Sequence, residues 1–261
     1  MKYGFIGCGN MGGAIATALA KSTVDIMISD RSGKAKDLAK KLGCVYADVE
    51  TVAKKCDRIF LAVKPQMMAS VLEPLQKHFA DRKPLLITMA AGLSMNRIEA
   101  MAGTSLPIIR IMPNTPVAVG RGMTQYCYNT QVDETLIDDF VNDMRYCGTL
   151  DMLSEELINA ACALSGSGPA YMYLFIQALA DGAAACGVPA EKSVMYATIA
   201  MAGAAEMVLK SGQSPEALKN AVCSPGGSTL EGLKVLEEQG FRDTVADCIR
   251  AAYKRNLELG K

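Results

Sequence analysis

Short apolar runs, many of them β-branched, alternate with helix-period segments through the first half of the chain. Tyr3–Ile6, Asp25–Ser29, Arg58–Val63, Leu85–Met89 and Ile108–Met112 read as buried parallel strands, because their apolar residues run on without alternating. Between them, Met11–Lys21, Lys34–Leu42, Met67–Phe79 and Met95–Ala102 carry apolar residues at helical spacing. This alternation predicts an α/β fold: a mostly parallel sheet with helices on both faces. Gly122–Tyr128 is a candidate further strand, and an amphipathic helix follows near Glu134–Arg145.

The pattern changes at residue 154, and no strand is predicted beyond it. Ser154-Glu155-Glu156 has the form of an N-cap with an acidic first turn, which suits the positive end of a helix. Helices are predicted over Glu155–Leu164, Pro169–Cys186 and Ala190–Lys210, then a short segment at Pro215–Val222. A last helix runs from Thr229 to the C-terminus with a break near Gly240. Gly187-Val188-Pro189 and Ser211-Gly212-Gln213 punctuate these segments. Two domains are expected, residues 1–154 and an all-α domain over residues 155–261. Ser193–Ala205 contains no charged residue. A helix apolar on every side must be covered by its own chain or by another subunit, so an obligate oligomer built through this region is expected.

Composition narrows the function. Of 261 residues, 50% are hydrophobic and 21% charged, enough for a sizeable core under a normal solvated surface. The 27 basic side chains balance 27 acidic ones with no basic stripe, which argues against nucleic acid as a partner. Aromatics make up 6% with no Trp, while Met and Gly number 16 and 23: close-packed helices rather than a stacking surface for sugars or bases. His78 is the sole histidine, which speaks against Ser-His-Asp chemistry and paired-His metal sites. It reads as a surface residue without a role. The nine cysteines are scattered with no Cys-x-x-Cys, most within apolar runs such as Ala-Ala-Cys162-Ala and Ala-Ala-Cys186-Gly. Buried free thiols in a reducing cytosol account for them better than disulfides or zinc.

The N-terminus has no signal-peptide apolar region. Leu157–Ala180 is uncharged and long enough to span a bilayer, but Ser165-Gly166-Ser167-Gly168-Pro169 splits it. A soluble, cytoplasmic protein with no membrane association is expected.

The first chemistry-bearing string is Gly7-Cys8-Gly9-Asn10-Met11-Gly12, a G-x-G-x-x-G between a predicted strand and an Ala-rich helix. The first glycine makes the tight turn and the second lets a pyrophosphate approach the backbone. The third lets helix and strand pack closely, while the helix start offers free N–H groups and a positive dipole end. After the second strand comes Asp30-Arg31-Ser32. An acidic residue there accepts from a ribose 2′-OH or caps the next helix, whereas Arg31 and Ser32 suit a 2′-phosphate. The balance favours NADP, with NAD as the alternative. Ala62-Val63-Lys64-Pro65-Gln66 turns at the carboxyl end of a strand, where ligands of open α/β sheets sit. Lys64 is held there for its backbone or for its charge. The cofactor site expected is therefore Ile6 with Gly7, Cys8, Gly9, Asn10, Met11 and Gly12, joined by Arg31 and Ser32 and by Ala62, Val63, Lys64 and Pro65.

The second string is Val222-Cys223-Ser224-Pro225-Gly226-Gly227-Ser228-Thr229-Leu230-Glu231. Pro-Gly-Gly ends one segment and exposes amides, and Ser228 with Glu231 has the spacing of a capping box. A helix start below two glycines suits a carboxylate, with the Ser224, Ser228 and Thr229 hydroxyls converging on it. By composition alone, the same string is equally an ordinary capped helix-helix connection.

This string resembles the signature of the pyrroline-5-carboxylate reductase family. Gly7–Gly12, Ala62–Gln66, Ala90-Ala91-Gly92, Met112-Pro113-Asn114-Thr115-Pro116, Leu164–Tyr171 and Ala178–Gly182 resemble that family in the same order, over essentially the whole chain. The resemblance implies a Rossmann-type domain followed by a helical domain that dimerises, with dimers often forming larger rings. It implies NADPH-dependent reduction of 1-pyrroline-5-carboxylate to L-proline, the last step of proline synthesis. It further implies that Ser224, Gly226 and the amides of Gly227, Ser228 and Thr229 hold the substrate carboxylate, and that the Thr229 hydroxyl bonds the ring nitrogen. Asp30 and Asp48 depart from the family, standing where relatives carry Asn.

The chemistry agrees with what the chain lacks. Reducing a cyclic C=N bond needs a hydride donor and a polarised imine, and no strong general base; positioning does most of the work. Two other readings remain. A β-hydroxy-acid dehydrogenase of similar build would carry a catalytic lysine on its long helix, and Ala170–Ala185 has none. A non-enzymatic dinucleotide sensor would not need the Ser224–Thr229 hydroxyls.

Overall fold

The computed structural model describes residues 1–22 and 25–259. Among these, eight strands form one sheet: β1 Lys2–Ile6, β2 Asp25–Ser29, β3 Val45–Tyr46, β4 Arg58–Leu61, β5 Leu85–Thr88, β6 Ile108–Met112, β7 Gly122–Tyr128 and β8 Gly148–Met152. Their order is β3-β2-β1-β4-β5-β6-β7-β8. Every neighbouring pair is parallel except β6 with β7. Strand order reverses between β1 and β4, which opens a crevice at their carboxyl ends.

The helices on this sheet are α1 Asn10–Leu19, α2 Gly33–Leu42, α3 Val49–Lys55, α4 Met68–Leu72, α5 Gln76–Arg82, α6 Met95–Ala102, α7 Glu134–Asp143 and α8 Ile158–Ala161. Successive strand residues feed opposite cores, as the pleat requires. Tyr3, Phe5, Ile26, Ile28 and Phe60 pack with α1 and α7 residues such as Ile15 and Phe140. Ile6, Met27, Ile59 and Leu61 pack on the other face with Val52, Leu72 and Ile98. Gly4 is small for a reason: a Cβ there would stand 2.4 Å from Val52 Cγ1, so α3 lies directly on β1. Arg58, 1% exposed inside a strand, is neutralised by Asp139 at 2.7 Å and Asp143 at 3.3 Å. It also donates to the Tyr3 hydroxyl.

The chain clusters into two compact units, Gly168–Ala251 forming the second and the remainder the first. The second unit holds α9 Gly168–Ala185, α10 Ala190–Ser211, α11 Pro215–Ala221, α12 Ser228–Glu238 and most of α13 Phe241–Leu259. The Phe175 and Phe241 rings lie 5.8 Å apart within it. On α10 only Ser193 and Ala197 are buried, while Ile199 and Leu209 are 63% and 78% exposed. No helix of the described residues is long and apolar enough to cross a membrane.

Several expectations need correction. The helix expected over Met67–Phe79 is broken into 3-10 turns at Pro65–Met67 and Glu73–Leu75 flanking α4, because Pro74 has no N–H for a helix interior. The strand expected over Arg58–Val63 stops at Leu61. The helix expected over Glu155–Leu164 becomes a 3-10 turn, α8 and a π-helical turn, Cys162–Gly166, closed by the Ser167 amide on the Cys162 carbonyl at 3.0 Å. Ser154 takes the N-cap position without a side-chain cap bond. Cys186, expected buried, is exposed. The last two residues of the helix expected to run to the C-terminus lie outside the described residues.

Candidate functional site

In the first unit, the three glycines of the G-x-G-x-x-G turn do three different jobs. Gly7 has φ +91°, and a Cβ on it would meet the Ala62 carbonyl carbon and oxygen at 2.7 Å. Its amide donates to Ser29 O, and Ala62 N donates to Ile6 O, so the ends of β1, β2 and β4 are laced together here. Gly12 would put a Cβ 2.7 Å from Gly7 O and 3.0 Å from Ala62 Cβ, which is the close approach of α1 to the strand end. Gly9, the N-cap of α1 at φ −69°, has nothing within 4 Å of its Cβ position. No side chain caps α1. An uncapped helix start under open space is where a phosphate fits.

Asp30, at the exit of β2, has a bracing role that the sequence did not show. Its Oδ2 accepts from the Cys8 amide at 2.6 Å and its Oδ1 from the Ser32 amide at 2.7 Å. Burial pushes its pKa up, but these two amides, the Ser32 hydroxyl and the Arg31 charge outweigh that and hold the carboxyl below its ordinary value. The Tyr46 hydroxyl donates to the Asp30 carbonyl. Beside it at the start of α2 stand Arg31, exposed with Nη2 3.5 Å from Met67 Sδ, and Ser32, the α2 N-cap. That set fits the 2′-phosphate of NADP. Asp48 caps α3, accepting from the Thr51 amide at 2.6 Å. Cys8 is a neutral wall: burial, with the Asp30 charge beside it, pushes its thiol up to about 12. Lys64 is placed by its backbone, its carbonyl accepting from the Met67 amide at 2.9 Å while its side chain is exposed. The sheet edge thus brings Ile6–Gly12, Ala62 and the Arg31-Ser32 exit together.

In the second unit, Ser224-Pro225-Gly226-Gly227 is a β-turn closed by the Gly227 amide on Ser224 O at 2.9 Å. Pro225 followed by Gly226 at φ +71° has the form of a type II turn. Two corrections follow. Gly227, not Ser228, is the N-cap of α12, and no capping box forms. The Gly227 amide, expected on the substrate carboxylate, is taken by Ser224. The Ser228 and Thr229 amides have no protein acceptor among the described residues. Gly227 contributes by absence: a Cβ there would stand 2.5 Å from Ser224 Oγ. Ser224, Gly226, Gly227, Ser228 and Thr229 therefore form one local cradle on a helix start.

Sequence reasoning missed the service of Asp30 to Cys8 and the Tyr46 bond to Asp30. Both link residues distant in sequence, and no local pattern marks them.

A sheet edge shaped in this way serves nicotinamide-dinucleotide-dependent oxidoreductases, and that is the class the first unit defines. Residues 155–259 match the family described as pyrroline-5-carboxylate reductase dimerisation, and residues 2–92 match NADP oxidoreductase coenzyme F420-dependent. The pyrroline-5-carboxylate reductase of Escherichia coli (strain K12) is 37% identical over 266 residues, covering 100% of this chain and 98% of that protein. The reductase of Arabidopsis thaliana is 36% identical over 268 residues, covering 100% and 96%. The crystal structure of Plasmodium falciparum pyrroline carboxylate reductase with NADP bound superposes with a TM-score of 0.91 at 34% identity, covering 100% and 98%. This chain belongs to the pyrroline-5-carboxylate reductase family.

Proposed function

We propose that this protein reduces 1-pyrroline-5-carboxylate to L-proline, the final step of proline biosynthesis, with NADPH as donor and NADH as the alternative. Membership of the family along the whole chain carries this reading. When bound, NADPH supplies the hydride that adds to the ring carbon of the C=N bond. The α1 start, with the amides of Gly9, Asn10, Met11 and Gly12, holds the pyrophosphate; Ile6, Cys8 and the Ala62–Pro65 turn wall it. Arg31 and Ser32 take the 2′-phosphate.

The substrate carboxylate sits on the Ser228 and Thr229 amides with the Ser224 and Ser228 hydroxyls, over a turn that needs both Gly226 and Gly227. Thr229 is the catalytic residue: its Oγ1 hydrogen-bonds the ring nitrogen and favours the protonated, electrophilic imine. Residues 1–154 form the dinucleotide domain and 155–261 the substrate and dimerisation domain. The exposed apolar residues of α9 and α10 support self-association as a homodimer or a ring of dimers, and we place the enzyme in the cytoplasm.

Mixing the protein with NADPH and pyrroline-5-carboxylate and following nicotinamide absorbance tests the reading. Loss of absorbance is expected; none would overturn it. Loss only with a 2-substituted hydroxy or keto acid would instead favour a dehydrogenase of another substrate class.

A further inference from the structure

Two of the family-bearing strings, Met112–Pro116 and Leu164–Tyr171, have no role in the reading above, yet the first unit ties them together. Asn114 lies just beyond the carboxyl end of β6 and is buried. Its Oδ1 accepts from the Met123 amide at 2.9 Å, at the start of β7. Its Nδ2 donates to the Ser165 carbonyl at 3.0 Å, inside the π-helical turn Cys162–Gly166. From β7, buried Gln125 accepts the Ser165 hydroxyl at 2.8 Å. One buried side chain just past β6 and one on β7 therefore hold the carbonyl and the hydroxyl of Ser165, the hydroxyl being shared with the Ala161 carbonyl at 2.9 Å. Lower on β6, Arg110 fastens the segment leading into that turn, through Glu155 at 3.0 Å and Asn159 at 3.2 Å.

A π turn is wider than an α turn, forms a poorer hydrogen-bond ladder and occurs mostly at functional sites. Here side chains of the sheet hold it at the carboxyl edge. Position along that edge gives the turn its meaning. The pyrophosphate turn lies at β1 and the 2′-phosphate exit at β2, so the other half of the dinucleotide runs the opposite way, over β4, β5 and β6. Asn114 stands at the end of that run.

We propose that Asn114, seconded by Gln125, is a positioning residue: it clamps the π turn Cys162–Gly166 onto the edge of β6 and β7 so that the turn walls the nicotinamide end of the cofactor groove. This rests on the NADPH-dependent reading above. A wall at that end fixes the ring face against which the imine must lie, and a misplacement of about 1 Å there costs about a hundredfold in rate.

The test uses Asn114→Asp, which keeps the acceptor for Met123 and loses the donor to Ser165. It also uses Gln125→Leu, which loses the acceptor, and Gln125→Glu, which keeps it. Three quantities are read: the dissociation constant of 2′,5′-ADP, which reports the adenosine half; the emission of bound NADPH, which reports the nicotinamide environment; and kcat. Asn114→Asp and Gln125→Leu are expected to bind 2′,5′-ADP within about twofold of wild type, to shift bound NADPH emission toward that of free NADPH, and to lower kcat by about tenfold to a hundredfold. Gln125→Glu is expected to restore emission and kcat. Unchanged emission in Asn114→Asp and Gln125→Leu, or a parallel loss of 2′,5′-ADP affinity as in a general loosening of the fold, would overturn the proposal. Wild-type turnover of NADPH in the same assay separates that failure from failure of the enzymatic reading.

Discussion

Replacing Gly9 by Ala places a methyl group where no protein atom beyond its own helix and chain neighbours lies within 4 Å. The backbone there, at φ −69° and ψ −157°, accepts an L-residue without strain. Stability should therefore change by less than about 1 kcal/mol, the scale of a weakened N-cap. Cofactor affinity should change far more. A methyl over the start of α1 keeps the pyrophosphate off the amides behind it. Losing one charge-assisted hydrogen bond costs about 1.5–3 kcal/mol, which is roughly 10- to 150-fold in Kd.

Gly12→Ala should show the opposite balance. Its new Cβ would meet Gly7 O at 2.7 Å, a backbone atom that cannot swing aside. Overpacking of this kind costs about 1–3 kcal/mol, offset in part by up to about 1 kcal/mol of helix propensity. Fluorescence titration with NADPH, beside urea unfolding of the ligand-free protein, separates the two variants. If Gly9→Ala bound NADPH with wild-type affinity, the pyrophosphate would not cross the helix start and the assignment of this turn would fail.

Thr229→Ala should lower kcat/KM for the imine by about 1–3 kcal/mol, roughly 5- to 150-fold, while leaving the Kd of NADPH unchanged; wild-type turnover would remove Thr229 from the chemistry. Because the folded pKa of Asp30 lies below its unfolded value of about 3.9, its contribution to stability is present above about pH 4 and is lost as pH falls through the folded value. Urea midpoints should therefore drop on acidification in wild type and drop less in Asp30→Asn, and equal slopes would show that the carboxylate does not hold this loop. Ile199→Asp on α10 should shift sedimentation toward a smaller species while 2′,5′-ADP affinity stays constant; an unchanged sedimentation coefficient would place the self-association surface elsewhere.

Strands β2, β6 and β7 and helix α6 run over the residues that the apolar pattern predicted, and their ends are marked locally: Pro107 and Pro113 flank β6, while Ser94 and Gly103 cap α6. β3, α3 and β8 were not predicted. Val45–Tyr46 is too short to show a period, and Gly148–Met152 is an edge strand with a weak apolar pattern. Helix α3 is only seven residues long and is specified by its Asp48 cap and its contact with Gly4 more than by amphipathicity. In the candidate site, the glycines are legible because their demand is steric and local. The partners of Asp30 and Asn114 are not, since Cys8 and Ser165 lie 22 and 51 residues away and only the folded sheet brings them near.

The double engagement of Asp30 also limits how this chain can drift in coenzyme choice. In a protein whose acidic residue merely faces the ribose, that one side chain can be exchanged to trade one dinucleotide for the other. Here the same carboxylate stitches the phosphate-binding turn to the start of α2, so altering it loosens both. Evolution or an engineer seeking a new preference is steered to positions 31 and 32, where a changed side chain leaves the Cys8 and Ser32 amides of that seam in place.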